Sequence, residues 1–149
     1  MGLDISAFSN ATPTDSGDAY QVYVTDGVPN LLDGKPEGMY EGTDTFGFRA
    51  GSYGGYNSWR SWLSRTFLGV LPESVWDNPA QFSGKPFVEL IHFSDCEGAI
   101  GPTVSAKLFH DFEANESQLN GADQWYVDVY HKWKRAFEIA SKDGFVIFH

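Results

Sequence analysis

Four side chains with reactive or metal-binding groups stand close together in residues 92–97, directly after an apolar run. They are His92, Asp95, Cys96 and Glu97. A polar loop after a buried segment is a common location for binding and catalytic residues. Asp95 and Glu97 can contact a ribose, a cation or the edge of a base. They can also act as general acid and base if burial raises the pKa of one carboxyl.

A second segment with binding potential is the glycine-rich stretch Arg49–Arg60, which contains Ser52, Tyr53 and Tyr56. A strand followed by a glycine-rich turn and a helix start presents backbone N–H groups that suit an anion such as phosphate. The two arginines would offset ligand charge, and the tyrosine rings would stack on a base. The spacing matches neither the dinucleotide fingerprint nor the Walker loop, so a plain strand-to-helix connection is the alternative.

Two enzymatic interpretations depend on Cys96. A cysteine nucleophile activated by His92 or His110 needs a lowered thiol pKa, whereas the adjacent Asp95 and Glu97 would raise it. A zinc site built from His92, Cys96 and His110 has suitable ligand types but lacks a recognised spacing. The sequence therefore favours neither interpretation, and we expect no catalytic residue, no metal and no cofactor.

A metal-assisted hydrolase using Asp95, Glu97 and Asp111 is chemically consistent, because Mg²⁺ prefers oxygen ligands. The purely structural alternative is that Ser94 and Asp95 cap a turn that Gly98 and Gly101 permit, with Cys96 buried. Lys107 and Asp111 are four residues apart on a predicted helix, which is typical of a surface ion pair. Both the hydrolase and the structural interpretation stay open at this point.

The charge of the chain argues against a nucleic-acid partner. Twenty acidic and ten basic residues give a net charge of −10, whereas proteins that bind a phosphate backbone need clustered Lys and Arg. Residues 1–44 hold eight of the acids and one base, Lys35. An acidic protein–protein inhibitor, including a DNA mimic, is therefore an alternative function.

The single cysteine, Cys96, excludes an internal disulfide and suits a reducing compartment. Residues 1–20 lack the layout of a signal peptide, and no apolar run has the length needed to span a bilayer. We therefore expect a cytoplasmic protein without a membrane partner.

The hydrophobic periodicity predicts one compact α+β domain, residues 1–149, with a mixed or antiparallel sheet and about three helices. The terminal strands should pair or lie close to each other. Asp26–Thr43 reads as a long loop or ragged hairpin, and Phe87–Phe93 as a buried strand, with a short helix as the alternative. The other predicted strands are Leu3–Phe8, Tyr20–Thr25, Asp44–Ala50 and Phe145–His149, and the predicted helices are 57–68, 102–115 and 123–142, with a helical turn at Glu73–Asp77.

Three motifs resemble those of a group of small, mostly unannotated proteins from bacteriophages and bacteria. They are MGLDI at residues 1–5, FGFRAGSYxGYNxWR at 46–60 and FSDCEGxIGP at 93–102. The resemblance extends over the whole chain and implies no established reaction. A phage setting suggests an anti-defence role, such as the sequestration of a nucleotide immune signal, by analogy only.

These observations lead to one hypothesis: a non-enzymatic protein, possible as a homo-oligomer with shared pockets, that captures a small phosphate-bearing, nucleotide-like ligand. The hypothesis requires the two segments to meet at a common pocket. Its ligand-binding residues are Arg49, Ser52, Tyr53, Tyr56, Arg60, His92, Ser94, Asp95, Glu97 and Lys107.

Overall fold

A computed structural model describes residues 2–149, so that Met1 of the MGLDI motif lies outside the described residues. The fold is α+β, as predicted, with five α-helices and two antiparallel sheets. The elements in chain order are β1 (Gly2–Phe8), β2 (Thr12–Pro13), β3 (Tyr20–Val22), β4 (Gly38–Glu41), β5 (Thr45–Ser52), α1 (Tyr53–Leu68), α2 (Pro72–Asp77), α3 (Val88–Ile91), β6 (Gly98–Ile100), α4 (Pro102–Asn115), α5 (Gln124–Ala140) and β7 (Phe145–Phe148). Short 3₁₀ turns cover Pro79–Phe82 and Glu116–Gln118.

The main sheet has the strand order β5-β1-β7-β6, and every neighbouring pair is antiparallel. The first and last strands are adjacent, with Ile5 opposite Phe148 and Phe8 opposite Phe145. This confirms the expectation that the two ends of the chain pair. Apolar side chains at alternate positions of β1 pack under the helices, because successive side chains of a strand point to opposite faces.

The helices cover one face of this sheet and bury most of the aromatic side chains. In α5 the apolar positions recur at the helical period, which produces a continuous buried stripe. Trp133 lies at the centre of this stripe and is fully buried. Its ring contacts those of Phe48, Tyr56, Trp59, Phe137 and Phe148.

The opposite face of the main sheet is partly covered by a small sheet with the order β2-β4-β3. A separate apolar cluster lies between them and includes Phe8, Val22, Tyr40, Phe145 and Ile147. Strand β4 of the small sheet lies within Asp26–Thr43, the segment predicted as a long loop or ragged hairpin. The predicted second strand is shorter than expected and ends at Val22.

Two further local predictions differ from the structure. The strand predicted at Phe87–Phe93 is wrong; the alternative, a short helix, is correct and forms α3. A run of buried apolar residues has the same pattern in a buried helix and a buried strand. The helix expected from Asn57 begins at Tyr53, because the Ser52 hydroxyl accepts a hydrogen bond from the Gly55 N–H and caps the helix earlier.

None of the helices in residues 2–149 combines the length and the apolar character required to cross a bilayer.

Candidate functional site

The two segments singled out in the sequence touch each other through Asn57. Its side-chain Nδ2 donates a hydrogen bond to Asp95 Oδ2 at 2.9 Å, while its Oδ1 accepts one from Arg60 Nη2. Arg60 Nη1 also donates to the backbone carbonyl of Phe93 at 2.7 Å. The first turns of α1 are therefore connected directly to the loop that follows α3.

Arg60 is the most unusual charged residue of the structure. It is only 4% exposed, and its guanidinium lies 5.4 Å from the ring centre of Tyr56 and 5.1 Å from that of Trp76. Within residues 2–149 no carboxylate lies within salt-bridge distance of it, and its Nε has no hydrogen-bond partner. Buried charges in proteins are normally paired. The cation is stabilised directly by carbonyl and amide oxygens and by the two aromatic rings.

An open hollow of about 320 Å³ lies beside this cation, and we call it the Arg60 hollow. Trp76, which is 40% exposed, forms part of its wall. The Trp76 indole N–H donates to the Ile91 carbonyl at 2.9 Å, which holds the ring in place. The lining residues are Gly27, Arg60, Trp76, His92, Phe93, Ser94 and Asp95.

The loop that carries Asp95 is ordered by its own hydrogen bonds. The Ser94 hydroxyl accepts from the backbone N–H groups of Cys96 and Glu97, both at 3.1 Å. This turn holds Asp95 next to Asn57. Cys96 is exposed, so the burial expected for it under the structural alternative is wrong. The structure therefore brings together four predicted site residues, Arg60, His92, Ser94 and Asp95, at one hollow.

Arg49 and Ser52 lie outside the Arg60 hollow. Arg49 forms a bidentate ion pair with Asp4, with Nε–Oδ1 at 2.6 Å and Nη2–Oδ2 at 3.0 Å. Hydrogen bonding from Arg49 holds the pKa of Asp4 below its usual value. Ser52 is engaged as the cap of α1. Neither side chain lines the hollow, because each is already bound to a neighbour on its own part of the fold.

The two predicted stacking tyrosines belong to the interior. Tyr56 is fully buried between Trp59 and Trp133, and Tyr53 packs partly buried against the same cluster. Burial raises the pKa of Tyr56 to about 12. Tyr56 does not line the hollow; its ring contacts the guanidinium of Arg60, which does. A ring on the surface of the hollow is instead supplied by Trp76, which the sequence analysis did not select.

Glu97 faces another part of the molecule. It accepts a hydrogen bond from the Tyr23 hydroxyl at 3.3 Å. Burial, and then the charge of Glu97, raise the pKa of Tyr23. Glu97 therefore joins the loop after α3 to the chain that leaves β3.

Lys107 belongs to a third group. Its ammonium lies 2.6 Å from Asp111 and 2.8 Å from Glu89. Asp111 is buried and also accepts from the Phe87 N–H at 3.0 Å. The pair predicted for the helix surface thus lies partly inside the fold, where it connects α4 to α3.

The three carboxylates of the hydrolase hypothesis have separate partners. Asp95 is bonded to Asn57, Glu97 to Tyr23, and Asp111 to Lys107. In the part of the chain that the structure describes, no group of three or more His, Cys, Asp or Glu side chains is arranged to hold a metal ion.

Sequence reasoning missed Trp76, Gly27 and the bridging role of Asn57. Trp76 lies in a helix of only six residues whose pattern carries no binding signal. Asn57 opens the predicted helix 57–68, where an asparagine side chain typically caps the helix by bonding to the backbone, so its type and position do not indicate a bridge to a distant loop. Comparison with protein-family models, with curated proteins and with solved structures finds no match to this chain.

Proposed function

We propose that this protein is a non-enzymatic binding protein that captures a small nucleotide-like ligand with an anionic group in the Arg60 hollow. In a phage setting, that activity would sequester a nucleotide immune signal. The observation that carries the proposal is the buried guanidinium of Arg60, which has no carboxylate partner in residues 2–149 and lies at the wall of an open hollow.

Electrostatics supports an anionic group at this position. A positive charge with little access to water interacts more strongly with a nearby anion than an exposed charge does. The chain as a whole carries −10, so long-range forces repel anions and binding has to rely on this local cation. Arg60 is also held rigidly by the Phe93 carbonyl and Asn57, which reduces the entropy lost on binding.

The hollow also provides groups for the uncharged part of a nucleotide. The exposed part of the Trp76 ring offers a stacking surface for a base. Asp95 has one carboxylate oxygen bonded to Asn57 and a second oxygen that can accept from a ribose hydroxyl or an exocyclic amine. His92 lines the same hollow and adds a donor or acceptor. The hollow has a volume of about 320 Å³ and is open to solvent, so a bound nucleotide would keep part of its surface exposed.

The test is capture followed by release. The purified protein is mixed with a panel of cyclic and linear nucleotides, washed, heated, and the released material is identified by mass spectrometry. We expect an intact nucleotide, and isothermal titration calorimetry then gives its affinity. A chemically altered nucleotide would contradict the non-enzymatic proposal and favour the hydrolase alternative. Absence of binding to every nucleotide of the panel would refute the proposal.

Arg60→Gln removes the cation, and Arg65→Gln is the matched control. Arg65 lies on the same helix, is exposed, and has no carboxylate partner within residues 2–149. Loss of one charge-assisted bond of about 1.5–3 kcal/mol predicts an affinity about 10- to 100-fold weaker for Arg60→Gln. Arg65→Gln should bind like the wild type. Circular dichroism checks that both arginine variants are folded. A third variant, Trp76→Leu, keeps Arg60 but removes the stacking ring, so it should independently weaken binding of the base.

The second candidate function is an acidic protein–protein inhibitor. The observation that favours it is the set of exposed carboxylates in residues 15–44, none of which has a cation within 4.0 Å among residues 2–149. They are Asp15, Asp18, Asp26, Asp33, Glu37, Glu41 and Asp44. Binding to a basic protein partner that weakens steeply with salt, and that Arg60→Gln leaves unchanged, would support this function over ligand capture.

A further inference from the structure

The two edges of the main sheet differ in how they are finished. At one edge, β6 is covered by the chain around Leu31, which lies between β3 and β4. Ile100 forms a parallel bridge with Leu31, and the Gly101 N–H donates to the Leu31 carbonyl at 2.8 Å. At the other edge lies β5, which is one of the two longest paired strands of the sheet. Its outer side pairs with no other strand in residues 2–149.

The direction of the backbone groups in β5 follows from the pairing of β1. Asp4 exchanges both backbone hydrogen bonds with His149, at 2.9 Å each, on the β7 side. Backbone N–H and C=O groups alternate in direction along a strand. The N–H and C=O groups of Ile5 and the other odd-numbered residues of β1 are therefore directed toward β5. Ile5 lies opposite Phe48, so Phe48 and Phe46 use their N–H and C=O groups within the sheet.

The intervening residues Thr45, Gly47 and Arg49 therefore direct their N–H and C=O groups outward. Among residues 2–149 these groups have no backbone partner outside the strand. The Arg49 side chain does not shield the edge, because it lies over β1, bonded to Asp4 and close to Gly2. An unprotected edge of this kind is a template for pairing with another strand.

We propose that two copies of this chain associate through β5, antiparallel, about a two-fold axis at Gly47. In this register Thr45 of one copy faces Arg49 of the other, and Gly47 faces Gly47. Each facing pair directs its free N–H and C=O toward the other, so each exchanges two backbone hydrogen bonds. The main sheet then continues across both copies.

The side chains of β5 fit a second copy of itself. Gly47 places no side chain on the axis, where two identical side chains would otherwise meet. Phe46 and Phe48, both only partly buried, come into facing positions, and their remaining apolar surface is covered by the association.

Residues 45–49 of the strand also lack most features that prevent edge pairing: their one charged side chain, Arg49, is bonded to Asp4, and the register shift between Leu3 and Asp4 lies beyond Arg49. Lys and Pro are common at exposed edges because they oppose the approach of another strand, and Thr45–Ser52 contains neither. A partner of unrelated sequence would need its own glycine and apolar side chains at the matching positions. A second copy has them by symmetry, which is why we infer self-association.

Gly47→Lys tests the proposal. A Cβ at this position would lie 3.5 Å from the Ile5 carbonyl, an ordinary contact, so the folded monomer accepts the side chain. Gly54→Lys is the matched control, since a Cβ there meets nothing within 4 Å and Gly54 lies in α1, away from the edge. Mass is measured by sedimentation over a wide concentration range.

We expect wild type and Gly54→Lys to have the mass of two chains at high concentration, and Gly47→Lys to have that of one, because like charges would face each other on the axis. Hydrogen exchange gives a second readout: the amides of Thr45, Gly47 and Arg49 should be protected in the wild type and exchange freely in Gly47→Lys. A wild type that stays monomeric overturns the proposal, as does a Gly47→Lys variant that still dimerises.

Discussion

Replacing Tyr56 by Phe removes a single oxygen atom from the centre of the helix layer. The Tyr56 ring is fully buried against Trp59 and Trp133, and its hydroxyl has no hydrogen-bond partner within residues 2–149. A buried, unpaired polar group costs about 1–3 kcal/mol of stability. We therefore expect Tyr56→Phe to raise the free energy of unfolding by about 1 kcal/mol, because the ring and its packing are retained.

Tyr130→Phe is the matched control with the opposite expected sign. Tyr130 is also fully buried, but its hydroxyl donates a hydrogen bond to the Phe112 carbonyl. The substitution removes this bond and leaves a buried carbonyl without its donor. A decrease in the free energy of unfolding of about 1–2 kcal/mol is expected. The same chemical change at two fully buried rings should thus have opposite effects.

The loss of stability at alkaline pH gives a second, independent test of the buried Tyr56 hydroxyl. Burial raises the pKa of Tyr56 to about 12, whereas an unfolded tyrosine has a pKa of about 10. The folded state therefore holds the proton more tightly than the unfolded state. The contribution of the neutral Tyr56 hydroxyl to the free energy of unfolding is fully present below pH 10 and is lost as the pH rises from 10 toward 12. At pH 11 this loss is about 1.4 kcal/mol for Tyr56 alone. Tyr56→Phe should escape that part of the loss.

The assay is equilibrium unfolding in urea, followed by circular dichroism at neutral pH and at pH 11, for the wild type and both variants. Equal slopes against urea are required for the comparison of free energies. If Tyr56→Phe destabilised the protein as much as Tyr130→Phe, the assignment of an unpaired hydroxyl would be refuted. An alkaline loss identical to that of the wild type would refute the pKa reasoning.

Two further predictions concern the backbone. A Cβ at Gly144 would lie 1.7 Å from the carbonyl oxygen of Phe8. Gly144→Ala should therefore lower the thermal unfolding midpoint by an amount equivalent to about 3 kcal/mol. The control Gly54→Ala, with free space around it, should leave the midpoint unchanged or raise it. Ser52→Ala removes the oxygen that accepts from the Gly55 N–H and should cost about 1 kcal/mol in urea unfolding without changing nucleotide affinity. Loss of binding in folded Ser52→Ala would contradict its assignment as a cap.

Long elements with a regular apolar period were the predictable part of the fold. The helix from Pro102 to Asn115 has the predicted bounds, and α5 lies within the predicted range, because proline and Asp123 mark their starts. The terminal strands were predictable from their apolar runs, and their pairing is confirmed. Local sequence signals suffice here because each element buries a face that its own periodicity defines.

Short elements were less predictable. The run Phe87–Phe93 forms a four-residue helix rather than the predicted strand, since its residues are buried whichever conformation they adopt. The small sheet was missed because β4 is only four residues long and pairs with β2 and β3, which are shorter still. Such strands have little preference of their own and depend on the apolar cluster against the main sheet.

The candidate site shows the same division. The residue types of Arg60 and Asp95 marked them as candidates, and both line one hollow. Arg49 and Lys107 had equally suggestive types, but Asp4 and Asp111 satisfy their charges elsewhere. Whether a charged side chain is free depends on residues distant in the chain, which periodicity and spacing do not specify.

The sequence alone determined the fold class, the main helices and the terminal strands, because burial of an apolar face is encoded by neighbours in the chain. Only the tertiary structure decided that Tyr56 lies inside the core, that Arg60 is buried with no acidic partner among residues 2–149, and that within the same residues no strand pairs with the outer edge of β5. The physical reason is that charge pairing, solvent access and strand edges are properties of contacts between segments far apart in the chain.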